Sequence, residues 1–257
     1  MNDDNFQNLK KILNAEVLKH ERPEFIADDP ISIPHHFLKR MDIEISALFA
    51  ATIAWGNRRA ILKSGELLLS IFEGAPAEFI LNASEHDFEN IRRFYHRTFN
   101  GDDAFAFASA LRRIYRDEGH RSLEELFVSG SEGTGLVEKM DSFRTHFSRD
   151  FLPHTQKHIA NIKAGSAAKK LNLFLRWMVR PNTRGVDFGL WKHISPSELF
   201  LPLDVHAARI SRALGLLSRK SNDANAVFEV TENLRKICPE DPIRYDFALF
   251  GIGIDEK

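Results

Sequence analysis

Apolar residues recur at intervals of three and four along most of the chain, the spacing that lines one face of an α-helix. Residues 5–20 predict a first amphipathic helix, and the Pro-punctuated stretch 21–36, ERPEFIADDPISIPHH, predicts a loop. The run 42–55, DIEISALFAATIAW, is almost wholly apolar after its first turn and suits a buried helix. Gly56 breaks it, and RRAILKSGELLLSIFEG makes a second helix ending at Gly74. Shorter helices are expected near 76–82 and 86–95, a longer one over 102–117, and a flexible turn at 129–135. Helices near 136–149, 155–163 and 166–180 follow, then an irregular insertion over 181–201 and helices at 204–217 and 223–237. Asp241-Pro242 opens the last one, with Asp as N-cap and Pro in the first turn, where its missing N–H costs nothing. With no alternating strand, repeat or low-complexity tract, the pattern predicts an all-α fold.

Composition changes this picture at two points. Cys238 is the only cysteine, which excludes an internal disulfide, an all-cysteine zinc site and an iron–sulfur cluster held by this chain alone. The opening MNDDNFQNLKK lacks the apolar core of a signal peptide, and no apolar run reaches membrane-spanning length, so a reducing cytoplasm is expected. The net charge of −1 hides an asymmetry. Residues 151–220 carry 12 Lys/Arg against 3 Asp/Glu, whereas 1–150 carry 19 against 25 and 221–257 carry 4 against 8. A basic block in a neutral chain can offer one face to phosphates, or its bases can lie scattered over solvated faces.

Two stretches could carry chemistry. In AGSAAKKLNLFL (164–175) a small-residue turn runs into a helix whose first turn holds Lys169 and Lys170. Backbone N–H groups at a helix start beside lysines suit a phosphate, and the same positive potential disfavours protonation of Lys169, favouring an amine nucleophile. The plain alternative is Ser166 as an ordinary N-cap with both lysines in water. In LPLDVHAARISR (201–212) Asp204 is first of all an N-cap, yet its apolar flanks would desolvate a carboxylate able to stabilise positive charge. His206, Arg209 and Arg212 fall close to one face, as phosphate contacts require.

These stretches resemble the helix-hairpin-helix DNA glycosylase superfamily, the group of endonuclease III and the archaeal 8-oxoguanine glycosylases. Laid on the hairpin-plus-helix pattern L-P-G-V-G-R-K-T-A-N, the chain places its first glycine on Gly165, its lysine on Lys169 and its asparagine on Asn172. The V-D-T-H-x-x-R helix falls on Leu203–Arg209, which puts the aspartate on Asp204. EISALFAATIAWGNRR (44–59) resembles the early buried helix whose polar loop, here Asn57 and Arg58, probes DNA beside a flipped base. DPIRYDFALFGIG resembles the terminal helix. NLFLRWMVR, PLDVHAARISRALGLL and PEDPIRYDFALFGIGI resemble more closely a bacterial family of conserved proteins of unknown function, distant relatives of these glycosylases.

The resemblance implies a single domain, residues 1–257, of two helical lobes at about 42–150 and 151–220, on which 1–41 and 221–257 pack. It implies a DNA repair glycosylase acting on a damaged purine such as 8-oxoguanine in double-stranded DNA, with AP lyase chemistry if Lys169 attacks. Lys163, Lys170, Arg209 and Arg212 would meet phosphates; no metal, cofactor or membrane is involved, and a nucleoid-associated monomer is expected. The chain departs from the pattern where Ala167 replaces the second hairpin glycine, and where Lys163-Ala164 replaces Leu-Pro. Asp204 also lies further beyond Lys169 than in endonuclease III, and the insertion between them carries Phe188, Trp191 and His193. Those aromatics stack on an extruded base in one reading and form a satellite core in the other. Lys170 rivals Lys169 by a one-residue slip. A catalytically inactive glycosylase-fold DNA-binding protein is the main rival reading, and a helical protein–protein adaptor a third. His154 and His158, spaced i and i+4, have no third ligand nearby, and His35-His36 has no carboxylate spacing; all four are expected to be structural or solvent-facing.

Overall fold

Capping side chains and prolines set where most helices begin. The computed structural model describes residues 3–130 and 133–255, so Ser131 and Glu132 of the expected 129–135 turn lie outside the described residues. The helices are α1 (Asp3–His20), α2 (Arg40–Ile53), α3 (Arg58–Ile71), α4 (Pro76–Asn82), α5 (Glu85–Glu89), α6 (Gly101–Arg112), α7 (Glu124–Val128), α8 (Leu136–Phe147), α9 (Pro153–Gln156), α10 (Lys169–Val179), α11 (Val205–Ala213), α12 (Ala224–Ile237) and α13 (Asp246–Asp255). There is no strand among the described residues, only an isolated antiparallel bridge between His96 and Phe99. The fold is all-α.

Several boundaries differ from those expected. The loop 21–36 is wound into three 3-10 turns, Pro23–Asp28, Pro30–Ser32 and Pro34–His36, each opened by a proline whose fixed φ suits a first turn. α6 passes into a π-helical turn, Arg113–Asp117. α7 was not expected at all. The helix expected over 155–163 is the single turn of α9, because Thr155 and His158 are pulled onto Asp103: Thr155 Oγ1 donates to Oδ1 at 2.7 Å, and His158 Nε2 lies 3.1 Å from Oδ2. Asp241 is not a cap; its carboxylate takes Arg180, and Pro242–Tyr245 form a 3-10 turn before α13.

The described chain divides into two compact units, residues 26–160 and the discontinuous pair 1–25 with 161–257. The core of the first is rich in phenylalanine. Phe49, Phe72, Phe94, Phe99, Phe107, Phe127, Phe143 and Phe147 are fully buried, many meeting edge to face, with centroids such as Phe99–Phe107 at 5.1 Å. Two acids are buried with it. Glu44 accepts from Tyr115 Oη (2.5 Å), Ser122 Oγ (2.6 Å) and the Leu123 amide (2.9 Å), and Asp103 completes a capping box with Asn100.

In the second unit α1 packs along α13, which also meets α11. Arg180, at the C-terminal end of α10, is buried among three carboxylates: Glu21 (2.7 Å), Asp241 (2.9 Å) and Asp187. Burial opposes its charge, but these acids hold the guanidinium protonated far above its ordinary pKa. The insertion 181–201 is anchored on α10. The Phe188 and Trp191 amides donate to the Trp177 and Met178 carbonyls, two of the groups a helix end leaves without intrahelical partners. Trp191 is 1 % exposed and meets Phe174 edge-on at 5.3 Å, so it belongs to the core.

A lysine–aspartate pair at two helix starts

The turn before α10 is shaped by its own backbone. The Asn161 side chain accepts from the Ala164 amide (3.0 Å), the Gly165 amide donates to Ile162 O (3.0 Å), and the Ser166 amide to Asn161 O (3.2 Å). Gly165 has φ +93°, where a side chain would be strained, and its carbonyl accepts from the Ala224 amide at the start of α12 (2.9 Å). Ser166 does not cap the helix; its Oγ accepts from the Ala168 amide (3.2 Å), and the capping position is Ala168, buried and left-handed with φ +48°. Left-handed backbone costs a non-glycine residue about 1–2 kcal/mol. Thus the strained position is Ala168, one residue beyond the Ala167 that replaces the second hairpin glycine, and α10 starts at Lys169 rather than 166. Asn172, the residue aligned with the asparagine of the hairpin pattern, reaches back and donates to Ala167 O (3.1 Å).

Asp204 is placed by a buried Leu-Pro-Leu. Leu201 and Leu203 are core, and the Leu201 amide donates to Thr231 Oγ1 on α12 (3.1 Å). Asp204 caps α11, its Oδ1 accepting from the Ala207 amide at 2.8 Å. Its other oxygen, Oδ2, lies 3.4 Å from Lys169 Nζ. The side chains are 29 % (Lys169) and 41 % (Asp204) exposed, so solvent and a ligand can reach both. Behind the pair Arg176 is ion-paired with Asp187 (3.3 Å) and with Asp246. Burial pushes the Asp246 carboxyl up, with Asp204 and Asp187 adding to the rise and Arg176 opposing it.

The other expected residues are distributed as follows. Lys163 and Gly165 are exposed on the turn, Lys170 is half-buried and Arg209 is exposed on α11. His206 packs its ring against Gly253 of α13, where a side chain would collide with it. Arg212 clasps the following loop, donating to Arg219 O (2.8 Å), Lys220 O (2.8 Å) and Asn222 Oδ1 (2.6 Å). Asn57 and Arg58 belong to the 26–160 unit; Asn57 caps α3, accepting from the Ala60 amide at 3.3 Å, and Arg58 opens that helix, exposed. The sequence reading gave no role to Arg176 and Asp246, which lie in stretches quoted for the resemblance, because their pairing across 70 positions shows only in three dimensions. It also missed Ala224, whose amide pins the turn.

No curated protein and no solved structure matches the chain. No helix among the described residues is long and apolar enough to cross a membrane. The model of a family described as protein of unknown function, DUF2400, matches residues 29–255, and the chain belongs to that family.

Proposed function

We propose that the chain is a DNA repair glycosylase of the helix-hairpin-helix type, with AP lyase chemistry, acting on a damaged purine flipped out of double-stranded DNA. The observation that carries this reading is the 3.4 Å approach of the Lys169 amine to Asp204 Oδ2. The two residues the glycosylase resemblance selects, 35 positions apart, meet at accessible ends of adjacent helices. The turn with Gly165 and the left-handed Ala168 serves as a degenerate hairpin.

The division of labour follows from the geometry. Oδ1 is held by the Ala207 amide, which fixes the carboxylate and leaves Oδ2 to take a proton from the lysine. The neutral amine attacks C1′, the glycosidic bond breaks and the base leaves with the electron pair of that bond. The proton that Asp204 has accepted passes to the departing base, and the carboxylate so regenerated stabilises the positive charge that develops on the sugar. Opening of the sugar ring gives a C1′ imine, and loss of a C2′ proton then expels the 3′ phosphate. Lys163, Lys170 and Arg209 supply phosphate contacts.

Borohydride reduces the imine to a permanent protein–DNA crosslink. Wild type is expected to crosslink to a duplex bearing its lesion, assayed over a panel of damaged purines, and Lys169→Gln to lose the crosslink while staying folded. If Lys170→Gln abolishes trapping and Lys169→Gln does not, the nucleophile is one residue further on. Base release without any crosslink leaves Asp204 as the sole catalytic group of a monofunctional enzyme. Neither release nor crosslink, with duplex binding intact, identifies the chain as an inactive DNA-binding protein.

A further inference from the structure

The 26–160 unit carries a second cluster of chemically competent side chains, outside the lysine–aspartate pair. α6 ends in the π-helical turn Arg113–Asp117, a form frequent at functional sites. Glu118 follows, and Gly119, at φ +75°, turns the chain so that His120 comes back beside it. α8 brings His146 to the same place from the other side. Glu118 Oε2 lies 2.6 Å from His146 Nε2 and 3.6 Å from His120 Nε2, and the three side chains offer ligand atoms all within 4.8 Å of one another. Ligands about 2.0–2.2 Å from a tetrahedral zinc ion stand roughly 3.4 Å apart, so small side-chain movements close this set around one ion.

The surroundings orient each ligand. His120 Nδ1 lies 2.7 Å from Glu125 Oε2. A carboxylate only accepts, so Nδ1 donates to it and Nε2 is the nitrogen turned to the cluster. This is the carboxylate–histidine support that metal-binding imidazoles characteristically have. Glu118 is held by its other oxygen: Oε1 accepts from Arg113 Nη1 (2.7 Å) and Arg149 Nη2 (2.9 Å), which leaves Oε2 as a single-oxygen donor. The charges facing the site are the carboxylates of Glu118, Glu125 and Asp150, the last 3.2 Å from Arg113 Nε, against the two guanidiniums. Their sum is −1, which a divalent cation reverses rather than aggravates.

We propose that Glu118, His120 and His146 bind one borderline transition-metal ion of the zinc class, with a fourth position open to water. Two nitrogens and one oxygen select such an ion over magnesium or calcium, which take oxygen ligands. On binding, the ion takes the place of the contacts that His146 Nε2 makes with Glu118 and Arg113.

The test uses the full, untagged chain, stripped of metal with a chelator and dialysed, then titrated with Zn²⁺ by calorimetry and with Co²⁺ by visible absorption. One equivalent of Zn²⁺ is expected per chain, with intense Co²⁺ bands of a four- or five-coordinate site. His120→Ala and His146→Ala are each expected to weaken binding at least tenfold, and Glu125→Gln by roughly 10–100-fold through His120 alone. His154→Ala, outside the cluster, leaves it unchanged. The Co²⁺ spectrum needs only wild type, so a variant that fails to fold does not obscure the outcome. Weak six-coordinate bands, no binding, or equal affinity in the His120/His146 double variant overturns the proposal.

Discussion

At the residue scale the chain hides its most polar contacts in its most apolar surroundings. Glu44 looks like one polar position in a buried helix; the Tyr115, Ser122 and Leu123 donors that make it tolerable come from more than 70 residues away. Asp103 likewise reads as a first-turn acid and is in fact the partner of Thr155 and His158. A single sequence shows neither, because hydrogen-bond satisfaction is a property of three dimensions. Two tyrosines record this packing. Burial pushes Tyr115 well above the usual phenol range, with the Glu44 carboxylate adding to it, and pushes Tyr245 up to about 12. Both folded-state values lie above those of the unfolded chain. Their contribution is therefore fully present below pH 10 and is lost as pH rises from about 10 towards 12 and beyond. Urea unfolding at successive alkaline pH values is expected to show stability falling over that window, less steeply in Tyr245→Phe. A flat profile would show that these phenols ionise alike in both states.

At the element scale, helices with strong amphipathic patterns and side-chain caps were legible. α12 begins one residue after its Asp223 cap, and α11 one residue after Asp204. The start of α10 was not, since nothing about an alanine announces a left-handed residue, which glycine or asparagine ordinarily supplies. Asp204 has two separable jobs at the element it opens. Asp204→Ala removes the cap and is expected to lower unfolding stability by about 1 kcal/mol, whereas Asp204→Asn keeps an acceptor for the Ala207 amide and changes it by under about 0.5 kcal/mol. Asparagine still removes the charge facing Lys169, so base release should fall by far more than stability does. Denaturant midpoints and excision rates on the same two variants check both halves. Equal stability loss in the two would deny the capping role.

At the scale of the molecule, the all-α class was readable from periodicity alone, and the Lys169–Asp204 pairing from the glycosylase resemblance. The units divide at residues 25 and 160, whereas the resemblance implies lobes at about 42–150 and 151–220; the Pro-punctuated stretch 21–36 and the change of charge near 150 lie close to these points without fixing them. The basic block 151–220 turns out to be partly inward. Arg176 and Arg180 are buried among acids and Arg212 is occupied by its own loop, whereas Lys163 and Arg209 are exposed and Lys170 is half-buried. Duplex affinity is accordingly expected to fall steeply with salt. Neutralising any one of Lys163, Lys170 and Arg209 should weaken binding to all sequences and reduce the slope of log K against log salt by about one. Affinity measured by fluorescence anisotropy between low and physiological salt provides the check, and salt-insensitive binding would point to a protein partner instead.

The packing of α1 on α13 sets a timetable for synthesis. The 26–160 unit is continuous and can fold as it leaves the ribosome, but α1 emerges before it and its partner helix α13 after it, with more than 220 residues between them. At about 5–20 residues per second, the apolar stripe of α1, with Leu9, Leu13 and Val17, waits on the order of tens of seconds for the surface that will cover it. Through that interval the nascent chain carries an uncovered apolar stripe on α1. The stripe is covered only when α13 has been made and packs along it.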